Sequence, residues 1–286
     1  MGMPRSAKPK VQLRMTEGYK KVNKIVIKNH LNTVCEEARC PNIYDCWGRE
    51  TATIMILGDV CTRACMFCSV KTGKPTSVDI NEPNRISQAV KEMGLRHVVL
   101  TSVDRDDLKN DFGATIWAET ITEIRRTSPN CTIEVLTPDF QGYLPALQKV
   151  FYAKPDIFSH NVECVERVSK KVRVQANWQR SLVVLQKSIE YGLLTKSGMM
   201  VGLGETTEEV LATMKQVAKI GVKIFTIGQY LQPTKKHLVV SRFVGQKEFD
   251  MYKIEGLRMG FEIVESGPLV RSSYHADEQA IFTQEV

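Results

Sequence analysis

ATIMILGDVCTRACMFC, residues 52–68, joins a short apolar run to three closely spaced cysteines. The run from Ala52 to Val60 has the length and aliphatic content of a buried strand. Cys61, Cys65 and Cys68, spaced C-x3-C-x2-C, sit on the loop that leaves the strand's C-terminal end. Parallel α/β folds carry their chemistry on such loops. The run therefore bears on the fold, and the cysteines on its use.

Downstream, strand and helix alternate. Strands are expected at Arg96–Ser102, Thr132–Leu136, Asp156–His160, Leu194–Val201 and Ile224–Gly228. Between them, helical spacing runs from near Pro83 to a stop at Gly94, from Gly113 to Arg126, from Tyr143 to Ala153, and through Leu182, Leu185 and Ile189 to Gly192. A further helix is capped by Thr207 and stopped by Gly221. Near-continuous apolar strands with helical crossovers argue for a parallel sheet. The regular repeat, without a Gly-rich first turn, favours a barrel over an open doubly wound sheet. Six units fall short of eight. The expected fold is α/β: an incomplete (β/α)6 TIM-like barrel whose N- and C-terminal extensions cap the mouth. Residues 1–50 form the first extension, 51–232 the barrel and 233–286 the second extension. The last holds a helix near Phe249–Met259, a strand near Phe261–Val264 and the tail Arg271-Ser272-Ser273-Tyr274-His275.

Upstream of the strand lies a second cysteine triplet, Cys35, Cys40 and Cys46, spaced C-x4-C-x5-C and interrupted by Pro41. It reads as irregular structure wrapped around a ligand. Before it, Thr16 caps a helix that runs to about Lys28. Residues 1–28 carry eight basic side chains against Glu17, which accounts for the whole net charge of +7. Such an arm favours contact with something acidic. The balanced body shows no basic stripe, so no nucleic-acid partner is expected. No apolar run is long enough to span a membrane, and Met1–Lys10 lacks an apolar signal region. Eight cysteines in 286 residues, without a secretory signal, argue for reduced thiols in the cytoplasm rather than a disulfide framework.

Soft thiolates select iron–sulfur clusters, zinc or Cu(I). Zinc wants a fourth ligand, and the nearest histidine after Cys68, His97, is 29 residues on. Three cysteines instead fit three corners of a 4Fe–4S cubane and leave one iron for a non-protein ligand. An electron carrier normally fills all four corners with cysteine. Cys131 and Cys164 read as core thiols, and the five histidines fall in no Ser/His/Asp pattern.

C-x3-C-x2-C after the first strand of an incomplete barrel resembles the radical S-adenosylmethionine superfamily. The upstream form TVCEEARCPNIYDCW (residues 33–47) narrows the likeness to the lipoyl synthase family. RHVVLTSVDRDDL, EVLTPDF, FSHNVE, QRSL, KSGMMVGLGET, GQYLQPT and RSSYHAD are similar to segments of that family, from about Asn29 to Asp277.

The resemblance implies that the cluster on Cys61, Cys65 and Cys68 binds S-adenosylmethionine and cleaves it to a 5′-deoxyadenosyl radical. Phe67 would lie near the adenine, Thr101 and Ser102 near the amino group, Asn161 and Glu163 near the ribose, and Arg180 on the carboxylate. It further implies a second 4Fe–4S cluster on Cys35, Cys40 and Cys46, completed by Ser273, with Ser272 as the alternative. A serine oxygen is a hard, labile iron ligand, which suits a cluster that is consumed as the sulfur source. The implied reaction inserts sulfur at C6 and C8 of an octanoyl chain on a lysine of a lipoyl carrier domain. Further partners so implied are an electron donor such as a ferredoxin or flavodoxin and an iron–sulfur carrier that rebuilds the spent cluster.

Overall fold

The computed structural model describes residues 15–49 and 51–279. Half of the basic arm, residues 1–14, lies outside them. α1 (Glu17–Lys28) starts where expected: the Thr16 hydroxyl accepts the Tyr19 N–H at 3.2 Å. It buries Val22, Ile25 and Val26. After β1 (Asn32–Thr33), the stretch expected to be irregular instead forms two short helices, α2 (Val34–Glu37) and α3 (Ile43–Gly48). The Thr33 hydroxyl caps the first by accepting the Glu36 N–H, and Pro41 separates the pair.

The expected strand at 52–60 is shorter. β2 (Thr53–Ile56) is buried throughout and ends at Leu57 and Gly58, both with positive φ. β3 (Val60–Cys61) then pairs with β4 (Lys71–Thr72) in a two-residue parallel ladder that closes the cysteine loop. The chain continues through α4 (Glu82–Met93), β5 (His97–Ser102), α5 (Ala114–Thr127), β6 (Thr132–Leu136), α6 (Leu144–Tyr152) and β7 (Ile157–Ser159). There follow α7 (Glu166–Val172), which sequence reading missed, α8 (Trp178–Glu190), β8 (Thr195–Val201), α9 (Thr207–Ile220) and β9 (Ile224–Gln229). The cap of α9 is Thr206, not Thr207: its hydroxyl accepts the Glu209 N–H while the Glu209 carboxylate accepts the Thr206 N–H. Only Thr206 has a glutamate three residues on, which the reciprocal cap requires.

The main sheet runs β1-β2-β5-β6-β7-β8-β9 and ends on β10 (Ile263–Gly267), all parallel except for β1. β2 and β5–β9 are the six expected strands of an incomplete barrel. The extension adds a seventh parallel strand, β10, paired to β9 from Ile263–Ile224 to Gly267–Gly228. Between them lies α10 (Gln246–Met259).

Two apolar clusters divide the core. One joins α1, Trp47 and the first helices to β2–β6; the other joins β8–β10 to α9 and α10 around Phe225 and Phe249. Cys131 and Cys164 belong to these cores, 2% and 0% exposed. Polar groups are also deeply buried: Lys196 of β8 and Glu134 of β6, both 0% exposed, pair at 2.9 Å. A fully buried ion pair is a weak source of stability.

The chain folds back on itself. Asn42 Nδ2 donates to the Leu269 carbonyl at 2.7 Å, and Arg49 pairs with Asp277 and Glu278, both in α11 (Ala276–Gln279). The tail thereby lies against the first cysteine triplet, 220 or more residues upstream.

Candidate active site

The second triplet is fixed from several sides. Thr62 Oγ1 donates to the Asp104 carbonyl at 2.9 Å, the Met66 N–H to Val172 at 2.9 Å, and the Leu238 N–H to Met66 at 3.1 Å. Arg63, inside the C-x3-C spacing, is 4% exposed and holds three aspartates: Asp106 at 2.7 Å, Asp139 at 2.6 Å and Asp104 at 3.2 Å. Burial opposes ionisation of Asp139, yet the Arg63 guanidinium wins and brings its pKa down to about 2. Asp104 is less compensated, and burial lifts it to about 6. Cys61 Sγ accepts the N–H groups of Arg63 and Asp104, each at 3.4 Å. Burial raises all three thiols, Cys65 to about 12 and Cys68 to about 11. Such thiols become thiolates only when a metal displaces the proton.

The first triplet surrounds a small cavity of about 30 Å³, lined by Cys35, Cys40 and Cys46 with Thr53, His97, Arg271 and Ser273. Cys35 comes from α2 and Cys46 from α3, so the two short helices aim the thiols. Burial pushes Cys35 to about 11 and Cys46 to about 12 and raises Cys40. Ser273 Oγ accepts a hydrogen bond from Thr53 Oγ1 at 2.8 Å. Ser272 faces elsewhere: Asn161 Nδ2 donates to its Oγ at 2.7 Å.

A larger cavity of about 380 Å³ joins the two triplets. Cys35 and Cys40 line one side, Phe67 and Cys68 another. Thr101, Asn161 and Glu163 line it from the strand ends, and Ser272 and Ser273 from the tail. Glu163 takes φ +66°, rare for a side chain of its size, and is held there by its backbone bridge to β8. Strain of this kind collects at functional sites. Asn161 Oδ1, next to Glu163, is buried without a partner.

Two expected residues do not line this cavity. Ser102 Oγ donates to the Val103 carbonyl at 2.9 Å. Arg180 is engaged by Asp139 at 3.1 Å and Gln141 at 2.9 Å. Arg173, not singled out in the sequence, is a second buried cation near the second triplet and, like Arg180, does not line the cavity; its Nη1 donates to the Val162 carbonyl at 3.1 Å. It is 7% exposed, leaves Nε without a partner, and acts electrostatically on Cys65 and Glu163. It follows α7, the helix that sequence reading missed.

Among the described residues, no three His, Cys, Asp or Glu side chains converge enough to hold one metal ion. Mononuclear zinc needs its ligands about 2.0–2.3 Å from the ion. Thiols spread around a cavity, with Asn161 Oδ1 unsatisfied in its wall, instead fit a polynuclear group and a polar ligand. All eight cysteines are free.

Residues 55–217 match the model of the Radical SAM superfamily. The chain is 56% identical to a lipoyl synthase of Rubrobacter xylanophilus over 264 residues, covering 92% of this chain and 82% of that protein. It is 50% identical to one of Flavobacterium psychrophilum, covering 95% and 94%. A mitochondrial lipoyl synthase of Nematostella vectensis is 49% identical, covering 96% of each chain. Solved structures share the fold at low identity. SuiB of Streptococcus suis, bound to S-adenosylmethionine, gives a TM-score of 0.59 at 10% identity, covering 80% of this chain and 55% of that one. Methylornithine synthase gives 0.55 at 13%, covering 91% and 88%. Strand order, cysteine spacing and these identities along nearly the whole chain agree: it belongs to the lipoyl synthase family of the radical SAM superfamily.

Proposed function

We propose that this radical SAM sulfurtransferase inserts two sulfur atoms, at C6 and C8, into an octanoyl chain carried on a lysine of a lipoyl carrier domain. The observation that carries the reading is the single cavity onto which both cysteine triplets open, with Ser273 at one of them. Cys61, Cys65 and Cys68 would hold one 4Fe–4S cluster and leave its fourth iron to S-adenosylmethionine. When bound, that pair supplies a 5′-deoxyadenosyl radical able to take hydrogen from an unactivated carbon. Cys35, Cys40, Cys46 and Ser273 would hold a second 4Fe–4S cluster, which is the sulfur substrate and is consumed.

The chain's own residues have the tasks of holding and excluding. Phe67 offers a ring beside Cys68 for the adenine. Thr101, Asn161 and Glu163 supply polar atoms for the sugar and amino groups. Arg180, held by Asp139, and Arg173, whose charge acts on Cys65 and Glu163, are the two candidate partners of the carboxylate. Ser102 acts at most through its backbone. The tail covers the barrel's open side, which keeps water from the reacting carbon. Holding the acyl carbon between the two sites is a positioning problem first.

In this reading residues 1–50 carry the sulfur-donor loop, 51–232 the radical-forming barrel and 233–286 the segment that completes the donor site. The partners are octanoylated carrier domains, a low-potential electron donor such as a ferredoxin or flavodoxin, and an iron–sulfur carrier that rebuilds the donor cluster. The compartment is the cytoplasm. No helix among the described residues is long and apolar enough to cross a membrane.

The test is mass spectrometry of an octanoylated carrier domain after anaerobic incubation with S-adenosylmethionine and reductant. Cys61→Ala is expected to abolish cleavage of S-adenosylmethionine. Cys35→Ala is expected to keep cleavage and lose sulfur insertion. A lipoyl product from Cys35→Ala would refute the donor assignment.

A further inference from the structure

The tail enters the barrel's open seam at a place prepared for it. At Gly228 of β9 an added Cβ would stand 2.1 Å from the Val270 carbonyl oxygen and 3.1 Å from Arg271 Nη1. The strand is bare there, and the backbone of the tail fills the space. Arg271 thus reaches the centre of the molecule. It lines the small cavity of the first triplet, the large shared cavity, and a third hollow of about 80 Å³ beside Asn161 and Gly228.

Its guanidinium is nearly unpartnered. Nη1 donates to the Val270 carbonyl at 2.6 Å, and among the described residues no carboxylate pairs with it. A guanidinium carries five N–H donors, so most of them face the cavities. Arg63 and Arg105, by contrast, each hold an aspartate; Arg173 shares the lack of a carboxylate partner but lines none of these three hollows. Burial lowers the pKa of Arg271, and Cys40 is the charged neighbour that acts the other way. A cation so placed is costly unless an anion meets it. The anion-forming groups around the small cavity are the thiols of the first triplet and Asp277, and Arg49 already holds Asp277 at 2.8 Å.

We propose that Arg271 is the built-in counter-cation of the first-triplet site and sets how readily the thiolate-bound group there is reduced. This rests on reading that triplet as a cluster site. A cubane bound by three thiolates and a serine oxygen gains negative charge on reduction. A half-buried guanidinium facing it, with no carboxylate in ion-pair contact among the described residues, stabilises the reduced form and raises the potential.

The test uses the full chain with Cys61, Cys65 and Cys68 all changed to Ala, so that only the first triplet can hold a cluster. After anaerobic reconstitution, iron and sulfide are counted, and the midpoint potential is read by a mediated titration followed by electron paramagnetic resonance. Relative to Arg271, Arg271→Gln is expected to move the potential to more negative values, and Arg271→Lys to recover most of that shift. If Arg271→Gln cannot hold iron while Arg271→Lys can, the need for charge is shown by the iron count instead. Equal potentials in Arg271→Gln and the parent overturn the proposal. So does loss of iron in both variants, which would make the side chain a packing element only. Absence of iron in the parent itself would sink the cluster reading of the first triplet, a separate failure that carries this inference down with it.

Discussion

Asp139 is 1% exposed, and its carboxylate answers both Arg63 beside Cys61 and Arg180 on α8. Its folded pKa of about 2 lies below the ~3.9 of a free aspartate. It therefore contributes stability that is present above pH ~4 and lost as pH falls toward 2, worth about 2–3 kcal/mol by linkage. Asp139→Asn should destabilise the cluster-free chain by about 3 kcal/mol at pH 7, since it leaves Arg63 short of a partner. It should also flatten the acid limb of the stability profile. Urea melts at pH 7 and at about pH 2 measure both, and a loss at pH 7 below about 1 kcal/mol would show that Asp104 and Asp106 suffice. Ser273 and Ser272 separate in the same way. Ser273→Ala should lower iron retention at the first triplet, while Ser272→Ala should spare it and weaken S-adenosylmethionine binding through Asn161. Iron analysis beside a binding titration decides it, and the reverse pattern would exchange their roles. The cysteine triplets stood out in the sequence because their spacing and type are the chemistry, whereas the tail serines were singled out only through the resemblance of RSSYHAD to a known family. Arg173 and Arg180 look alike in sequence, and only the placement of α7 and of Asp139 decides which is committed elsewhere.

Helix α9 shows what local rules recover and what they miss. Its existence and its stop at Gly221 were legible from periodicity, while the cap was read one residue late. Thr206→Ala should cost about 1 kcal/mol, and Thr206→Ser should stay within a few tenths of the parent in urea melts. An effect confined to Thr207→Ala would return the cap to the position expected from sequence. Thr207 has its own bond, to Glu248 at 3.0 Å, which is tertiary and invisible to pattern reading. Helices α2, α3 and α7 have four, six and seven residues, too few to show an apolar stripe. They form because caps and packing select them. Trp47 in α3 is 0% exposed and packs against Tyr19, with ring centroids 5.2 Å apart. Trp47→Ala should cost about 3–5 kcal/mol and loosen α3, which carries Cys46. Thermal melts with and without reconstituted clusters test this, and equal loss in both would mean that α3 matters for packing alone.

Across the whole molecule, the six-strand barrel was legible because each strand is a near-continuous apolar run. β10 was read as a strand, but its place as a seventh parallel partner of β9 depends on a crossover that the sequence does not specify. The meeting of Asn42 with Leu269 and of Arg49 with Asp277 was legible only through the serine that the first triplet requires. Truncation after Val270 should leave one cubane, about four irons per chain instead of eight. Iron and sulfide analysis reads the number, and eight irons in the truncated chain would contradict the proposed role of the tail. The contact between tail and first triplet also imposes a schedule on biosynthesis. A ribosome that has finished Cys46 still has 227 residues to add before Ser273. At about 5–20 residues per second, that takes roughly ten to forty-five seconds. The loop of Cys61, Cys65 and Cys68 has all its cysteines by Cys68, whereas in the proposed reading the first-triplet site lacks Ser273 and Arg271 until more than 200 residues later. In that reading, loading of the second cluster is a late step that follows docking of the tail, and a chain stalled before Arg271 would have a complete Cys61–Cys68 loop beside an unfinished sulfur-donor site.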